Sequence, residues 1–265
     1  MNSTRWLCVA ICATACKSDG SDSSGGETAV ETFSISGMVM DMGVPPLPSD
    51  IVTKSCTVSA LDPSTAVSGG VPTVITTAPI QSDGTYRVEG INVKPSLGLV
   101  LNVAGCPNDA DVPTNTGVAV ETYQDLPDGG EITDKVIYRI PAELGQNIDA
   151  DLTKSGYKGN GLVADGALLS FIMTEDKVPV QGATLECTGC ESDFYYFDND
   201  RPDAGYFMTG KKLNSSTSAF TGGMVLVPAA KIWTYTASDG GKHDFEERTL
   251  GSQPGSVLIS IFTGA

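Results

Sequence analysis

The chain has 265 residues, with 16 basic against 32 acidic side chains and a formal net charge of −16. A surface this acidic repels phosphate backbones, which argues against nucleic acid as a partner. The 30 glycines, 15 prolines and 7% aromatic residues are typical of a turn-rich β protein, and the length allows one large domain or two small ones.

The amino terminus has the pattern of an export signal. An apolar run over residues 6–15 follows Arg5. The run is too short to cross a bilayer, which needs ~20 apolar residues, and it has the length of a signal-peptide core.

This run ends in Ala13-Thr14-Ala15-Cys16, which resembles the lipobox of bacterial lipoproteins, although that family prefers leucine where Ala13 stands. The resemblance implies that residues 1–15 are a signal peptide and that Cys16 carries palmitate or a similar acyl group. An ordinary secretory leader cleaved after Ala15 is the alternative.

The polar segment after Cys16 predicts a flexible tether over residues 16–29, because it holds too little apolar area to fold. In proteobacterial lipoproteins, an aspartate directly after the lipidated cysteine signals a different membrane location. Here that residue is Lys17, which by the same rule implies the outer membrane. We therefore expect an exported, cell-envelope protein whose partner is a membrane, through its N-terminal lipid.

Short alternating apolar runs predict a first β domain over residues 30–158. Asp83-Gly84 has the composition of a hairpin turn. The one predicted helix covers residues 141–152, with Pro141 in its first turn. The predicted strands lie near residues 33–40, 56–60, 71–77, 86–91, 97–104, 117–123 and 136–140.

The same pattern restarts after a glycine-containing linker and predicts a second β domain over residues 159–265. Its strands are predicted near residues 167–174, 194–197, 206–209, 223–227, 232–236 and 256–262.

Residues 178–185, Val-Pro-Val-Gln-Gly-Ala-Thr-Leu, resemble a strand entry of carboxypeptidase regulatory-like domains. Residues 82–91 resemble the hairpin of the same family, which is related to CnaB modules. The resemblance implies an all-β protein with two Ig-like, prealbumin-like antiparallel β-sandwich domains. It also implies a spacer, adhesion or carbohydrate-proximal role without catalysis.

Four cysteines remain beyond Cys16, and an even number in an exported chain favours pairing. Three connectivities are possible. We favour Cys56–Cys106 with Cys187–Cys190, because each bridge then stays within one half. Glu186 and Glu191 flank the second pair and would raise its thiol pKa, so we predict a structural clip and not a redox centre.

The densest group of oxygen ligands is Asp198, Asp200 and Asp203, a weak calcium candidate, because calcium takes six to eight oxygens. The alternative is a solvated acidic loop, and we predict no other cofactor. His243, the one histidine, lies in a glycine-rich turn, and there is no nucleophile elbow or P-loop, so we predict no enzyme.

Aromatic residues cluster in the second half, as Tyr195, Tyr196, Phe197, Tyr206, Phe207 and Trp233. Most are expected in the core, and the others would suit a stacking platform for a glycan or a protein. The sequence thus favours a non-catalytic structural or interaction protein of the envelope. A carbohydrate-binding or carbohydrate-processing protein and a calcium-stabilised adhesin are the alternatives.

Overall fold

Strands make up most of the regular structure in the computed structural model, which confirms the all-β fold class. The structure describes residues 31–42, 47–48, 56–66, 70–104, 112–190, 193–197, 216–217 and 223–265. The strands are β1 (Phe33–Asp41), β2 (Leu47–Pro48), β3 (Thr57–Asp62), β4 (Thr73–Pro79), β5 (Thr85–Ile91), β6 (Leu99–Ala104), β7 (Thr114–Val118), β8 (Gly130–Arg139), β9 (Ala167–Thr174), β10 (Thr184–Cys187), β11 (Tyr195–Tyr196), β12 (Met224–Pro228), β13 (Trp233–Ser238), β14 (Arg248–Leu250) and β15 (Val257–Gly264).

The helices are α1 (Ala142–Lys154) and α2 (Leu162–Asp165), with one 3-10 turn at Val120–Thr122. The predicted helix is thus present as α1, with Pro141 at its N-cap. No helix in the described part of the chain has the length and apolar character needed to span a membrane.

Most predicted strands are present, with three departures. The strand predicted at 117–123 lies earlier, as β7, because two of its three buried positions are threonines, Thr114 and Thr116, which give no apolar signal. The short strands β2 and β14 were not predicted. The strand predicted at 206–209 lies outside the described residues.

An eight-stranded sheet, in the order β11-β12-β9-β15-β7-β6-β3-β4, contains strands from both sides of the predicted boundary at 158. Strand β15 joins them, with Ile259 opposite Thr116 of β7 and Leu169 of β9. Residues 31–265 form one compact unit. This differs from the predicted pair of sandwiches that each close on themselves.

The predicted sandwiches are antiparallel, but the observed sheets also contain parallel pairs. Strand β15 is parallel to β7 and to β9, and β1 is parallel to β8. Parallel neighbours need long crossover connections. Strand β15 meets this requirement because β10–β14 lie between it and β9 along the chain.

A second sheet contains β1 with β8 on one side and with β5 and β2 on the other. It packs on the β3–β6 part of the large sheet through buried Ile35, Val88, Val58 and Leu101. At the end of the β1–β8 pair, the Arg139 guanidinium donates two hydrogen bonds of 2.6 Å to Asp41, its cross-strand partner.

Strand β9 is covered on both faces, which its apolar run, interrupted by Ser170, indicates. Leu169 and Phe171 face a core that contains Ile148 and Leu152 of α1. Leu168 and Ile172 face a core formed with the third sheet, β10-β13-β14.

A β-bulge interrupts the β1–β8 pair. Ile35 lies opposite Ile132 and Gly37 opposite Lys135, so β8 holds one more residue than β1 between these pairs. Asp134 takes up the extra residue with φ 57°. A Cβ on Gly37 would collide with the Lys135 carbonyl group, so only glycine fits there.

We expect Ile259→Ala to lower the free energy of unfolding by about 2–5 kcal/mol, because it leaves a cavity in the middle of the shared sheet. Ile261→Ala, two residues along the same strand, removes a side chain that is 36% exposed and should cost less than about 1 kcal/mol. Urea unfolding followed by circular dichroism measures both. Equal losses would contradict the central position of β15.

We expect Gly37→Ala to destabilise the protein by about 1–3 kcal/mol, because its methyl group has no room beside the β8 bulge. Gly117→Ala is the matched strand control, since its added Cβ would lie 3.7 Å from the Ile259 carbonyl oxygen, an ordinary contact. Thermal unfolding measures both variants. A Gly37→Ala protein as stable as the Gly117→Ala protein would count against the bulge.

Candidate functional site

The predicted Cys187–Cys190 disulfide is present at the end of β10, with Cα atoms 5.8 Å apart. Cys56 is buried and also disulfide-bonded. Cys106, its predicted partner, lies outside the described residues, so the Cys56–Cys106 pairing stays a prediction.

The predicted lipid-bearing Cys16 and the calcium candidates Asp198, Asp200 and Asp203 also lie outside the described residues. Both sites therefore stay predictions. Elsewhere in the described ranges, no group of three or more histidine, cysteine, aspartate or glutamate residues is close enough to share a metal ion.

His243 pairs with a carboxylate within its own turn. Its Nδ1 lies 2.6 Å from Oδ2 of Asp239, and the second carboxylate oxygen accepts hydrogen bonds from the backbone N–H groups of Lys242 and His243. These contacts hold the turn before β14 in shape.

The aromatic cluster divides between core and surface. Tyr196 and Phe197 are buried, and the Tyr196 hydroxyl accepts a 2.9 Å hydrogen bond from the Leu185 N–H, which ties β11 to β10. Trp233 is 37% exposed beside Ile232, which is 45% exposed. Tyr206 and Phe207 lie outside the described residues, so Trp233 is the described member that a ligand can reach most easily.

A feature that sequence reasoning missed is an open groove of about 910 Å³. Strands β7, β9 and β15 of the large sheet contribute to it, as do β8 and the segment 246–250 around β14. Its charged and apolar lining includes Glu121, Asp134, Lys135, Glu175, Lys177, Glu246, Glu247 and Arg248, together with Leu97, Tyr138, Met173, Ile232, Leu258 and Ile261.

Lys135 brings a positive charge into this groove from β8, where the bulge at Asp134 precedes it. Its Nζ donates a 2.8 Å hydrogen bond to the Gly117 carbonyl oxygen of β7. Burial, together with the smaller effect of the positive charge of Arg248, lowers the pKa of Lys135 to about 8. Among the described residues, no carboxylate lies within 4 Å of Nζ.

Besides Lys135 and the exposed Lys177, the groove is lined by a further cation, Arg248. Its Nη2 lies 3.4 Å from Oε2 of Glu246, whose side chain is 71% exposed. The Nε atom of Arg248 is buried and has no hydrogen-bond partner. Buried polar groups usually have a partner, so the guanidinium of this groove residue is left with an unused donor.

No sequence motif connects Lys135 with Arg248. Lys135 lies in an alternating strand, and Arg248 follows Glu246 and Glu247, which reads as a solvated charge run. The two meet because β8 and β14 flank the same part of the large sheet, and strand β14 itself was not predicted.

Comparison with known proteins finds few similarities. No family model matches this chain, and no curated protein matches it. Among solved structures, the Bacillus anthracis TIE protein is 9% identical, with a TM-score of 0.26 over 88% of this chain and 34% of that one.

A streptococcal ancillary pilin is 12% identical, with a TM-score of 0.25 over 90% of this chain and 64% of that one. The major pilin T-13 from Streptococcus pyogenes is 8% identical, with a TM-score of 0.17 over 88% of this chain and 96% of that one. The chain therefore spans less than two thirds of the length of the first two.

We expect Lys135→Met to be more stable than the wild type at pH 7, by about 1–3 kcal/mol, because it removes a half-buried charge. The unfolded chain holds this proton up to a pKa near 10.5, and the folded chain releases it near 8. Wild-type stability should therefore rise relative to the variant between pH 8 and pH 10.5.

Urea unfolding at pH 7, 8.5 and 10 measures this gap, which should narrow as the pH rises. Lys158→Met, an exposed lysine outside the groove, is the control and should show no such trend. A gap for Lys135→Met that stays constant with pH would contradict the burial of its charge.

Proposed function

We propose that this chain is an exported, lipid-anchored protein of the cell envelope that acts by contact and not by catalysis. The observation that carries the proposal is the Cys187–Cys190 disulfide, in a chain that begins with a signal-like leader. Disulfides persist in oxidising compartments and are rare in the cytosol. Cys56, which is also disulfide-bonded, supports the same compartment.

The anchor in this proposal is Cys16, which follows the small residues at the end of the leader. A thiol is the nucleophile that a diacylglycerol transfer requires, and the polar tether would keep the folded unit clear of the lipid surface. The net charge of −16 disfavours electrostatic adhesion to anionic lipids, so the acyl group would supply the attachment. Lys17 favours the outer membrane.

The contact role rests on the β frame. Residues 31–265 form a single unit with two sheets and two helices packed on the large sheet. This frame holds the walls of the groove on strands, which position a binding surface more accurately than loops do.

A carbohydrate-binding role is the second candidate, and Trp233 favours it. Its indole is partly exposed next to exposed Ile232, and an exposed aromatic face can stack on a sugar ring. Glycan-array binding by the soluble mature chain, compared with its Trp233→Ala variant, measures this. Binding that Trp233→Ala abolishes would favour the glycan candidate.

We expect cells that express the wild type to incorporate labelled palmitate into the protein, and cells that express Cys16→Ser to incorporate none. Cys12→Ser, which removes the other cysteine close to the cleavage point, is the matched control and should keep the label. Gel autoradiography with N-terminal sequencing reads out both. Label retained in Cys16→Ser would overturn the anchor.

A further inference from the structure

Two positive side chains of the groove, Lys135 and Arg248, have few charge partners among the described residues. Lys135 has no ion pair there and uses one of its three N–H donors on the Gly117 carbonyl oxygen. Arg248 has one ion pair, of 3.4 Å, to an exposed glutamate, and its buried Nε has no acceptor. The chain carries twice as many acidic as basic residues, so two interacting cations that share a single exposed carboxylate partner require an explanation.

The like charges also act on each other, since Arg248 contributes to the lowered pKa of Lys135. Each cation therefore makes burial of the other more costly. An anion between them would accept hydrogen bonds from both and remove this repulsion. Charge-assisted hydrogen bonds of this kind are stronger than neutral ones.

The rest of the groove limits which anion fits. Its volume of about 910 Å³ has room for more than an inorganic ion, and its apolar walls include Tyr138, Met173, Leu258 and Ile261. Such a lining binds an apolar body, while a few polar groups set its orientation. The ligand should thus combine one anionic end with an apolar part.

Acidic residues at the groove select against highly charged ligands. Glu175, Glu246 and Glu247 are exposed and line the groove near the two cations. They would repel a phosphate dianion or a polyanion more strongly than a single carboxylate. The charge pattern therefore favours a monoanion that reaches the cations through an acidic rim.

We infer that this groove binds the carboxylate of a ligand with an apolar body, such as the carboxyl end of an apolar peptide, with Lys135 and Arg248 as its anion site. The inference rests on the proposed contact function and specifies the surface and the ligand class. Lys135 and the Arg248 guanidinium would donate to the carboxylate oxygens, and the apolar body would lie along β15 and Tyr138.

The test uses the soluble mature chain with Cys16→Ser, titrated with N-acetyl-leucine and with its neutral amide at pH 7, and followed by NMR amide shifts. The acid should bind at least about tenfold more tightly than the amide, because the amide lacks the charge that both cations recognise. Inorganic phosphate should bind more weakly than the acid. This comparison of ligands needs no substitution in the groove.

Lys135→Met and Arg248→Met should each reduce the affinity for the acid by about tenfold or more, and Lys135→Arg and Arg248→Lys should retain most of it. Lys158→Met removes the same charge outside the groove and should leave the affinity for the acid unchanged.

Three results would overturn the anion site. They are equal binding of acid and amide, no binding of the acid up to 20 mM (about the weakest affinity that NMR titration measures), and a loss of affinity in Lys158→Met equal to that in the groove variants. Palmitate labelling does not depend on any of these binding results, so the lipid anchor and the anion site are tested independently.

Discussion

The parallel pairing of β15 with β7 on one side and β9 on the other is the constraint on which the rest of the structure depends. Without β15, the eight-stranded sheet would separate into one part with β3, β4, β6 and β7 and another with β9, β11 and β12. Its buried residues, Val257, Ile259 and Phe262, also belong to two different cores, so one strand stabilises both faces of the sheet. The two halves of the chain are therefore one unit in energetic terms, although their sequence patterns suggest two.

The groove is a consequence of this shared sheet. Strand β8 belongs to the second sheet and β14 to the third, and both lie against the large sheet near β7 and β15. The bulge at Asp134 precedes Lys135, which contacts the Gly117 carbonyl oxygen of β7. The positions of Lys135 and Arg248 thus depend on two irregular features, the bulge in β8 and the three-residue strand β14.

Alternating apolar residues predicted most strands, Pro141 marked the start of α1, and the cysteine count pointed to the Cys187–Cys190 clip, because these are local signals in the chain. They did not predict that β15 would cross the domain boundary, since strand order in a sheet is a long-range property that periodicity does not encode. Strand β7 was misplaced because threonines occupy two of its three buried positions. Lys135 and Arg248 were missed because a lysine in an alternating strand and an arginine after two glutamates both resemble ordinary surface residues.

The position of β15 also determines when during synthesis the large sheet can be completed. Its strand follows every other described element in the chain, yet it takes a place in the interior of the sheet. The edges of β7 and β9 therefore stay open until the residues of β15 have been synthesised. Contacts between distant residues form slowly, and open strand edges are prone to aggregation. A chain built this way benefits from being kept unfolded until residues 257–264 are available, and the export proposed above would move the chain through a secretion channel in that unfolded state.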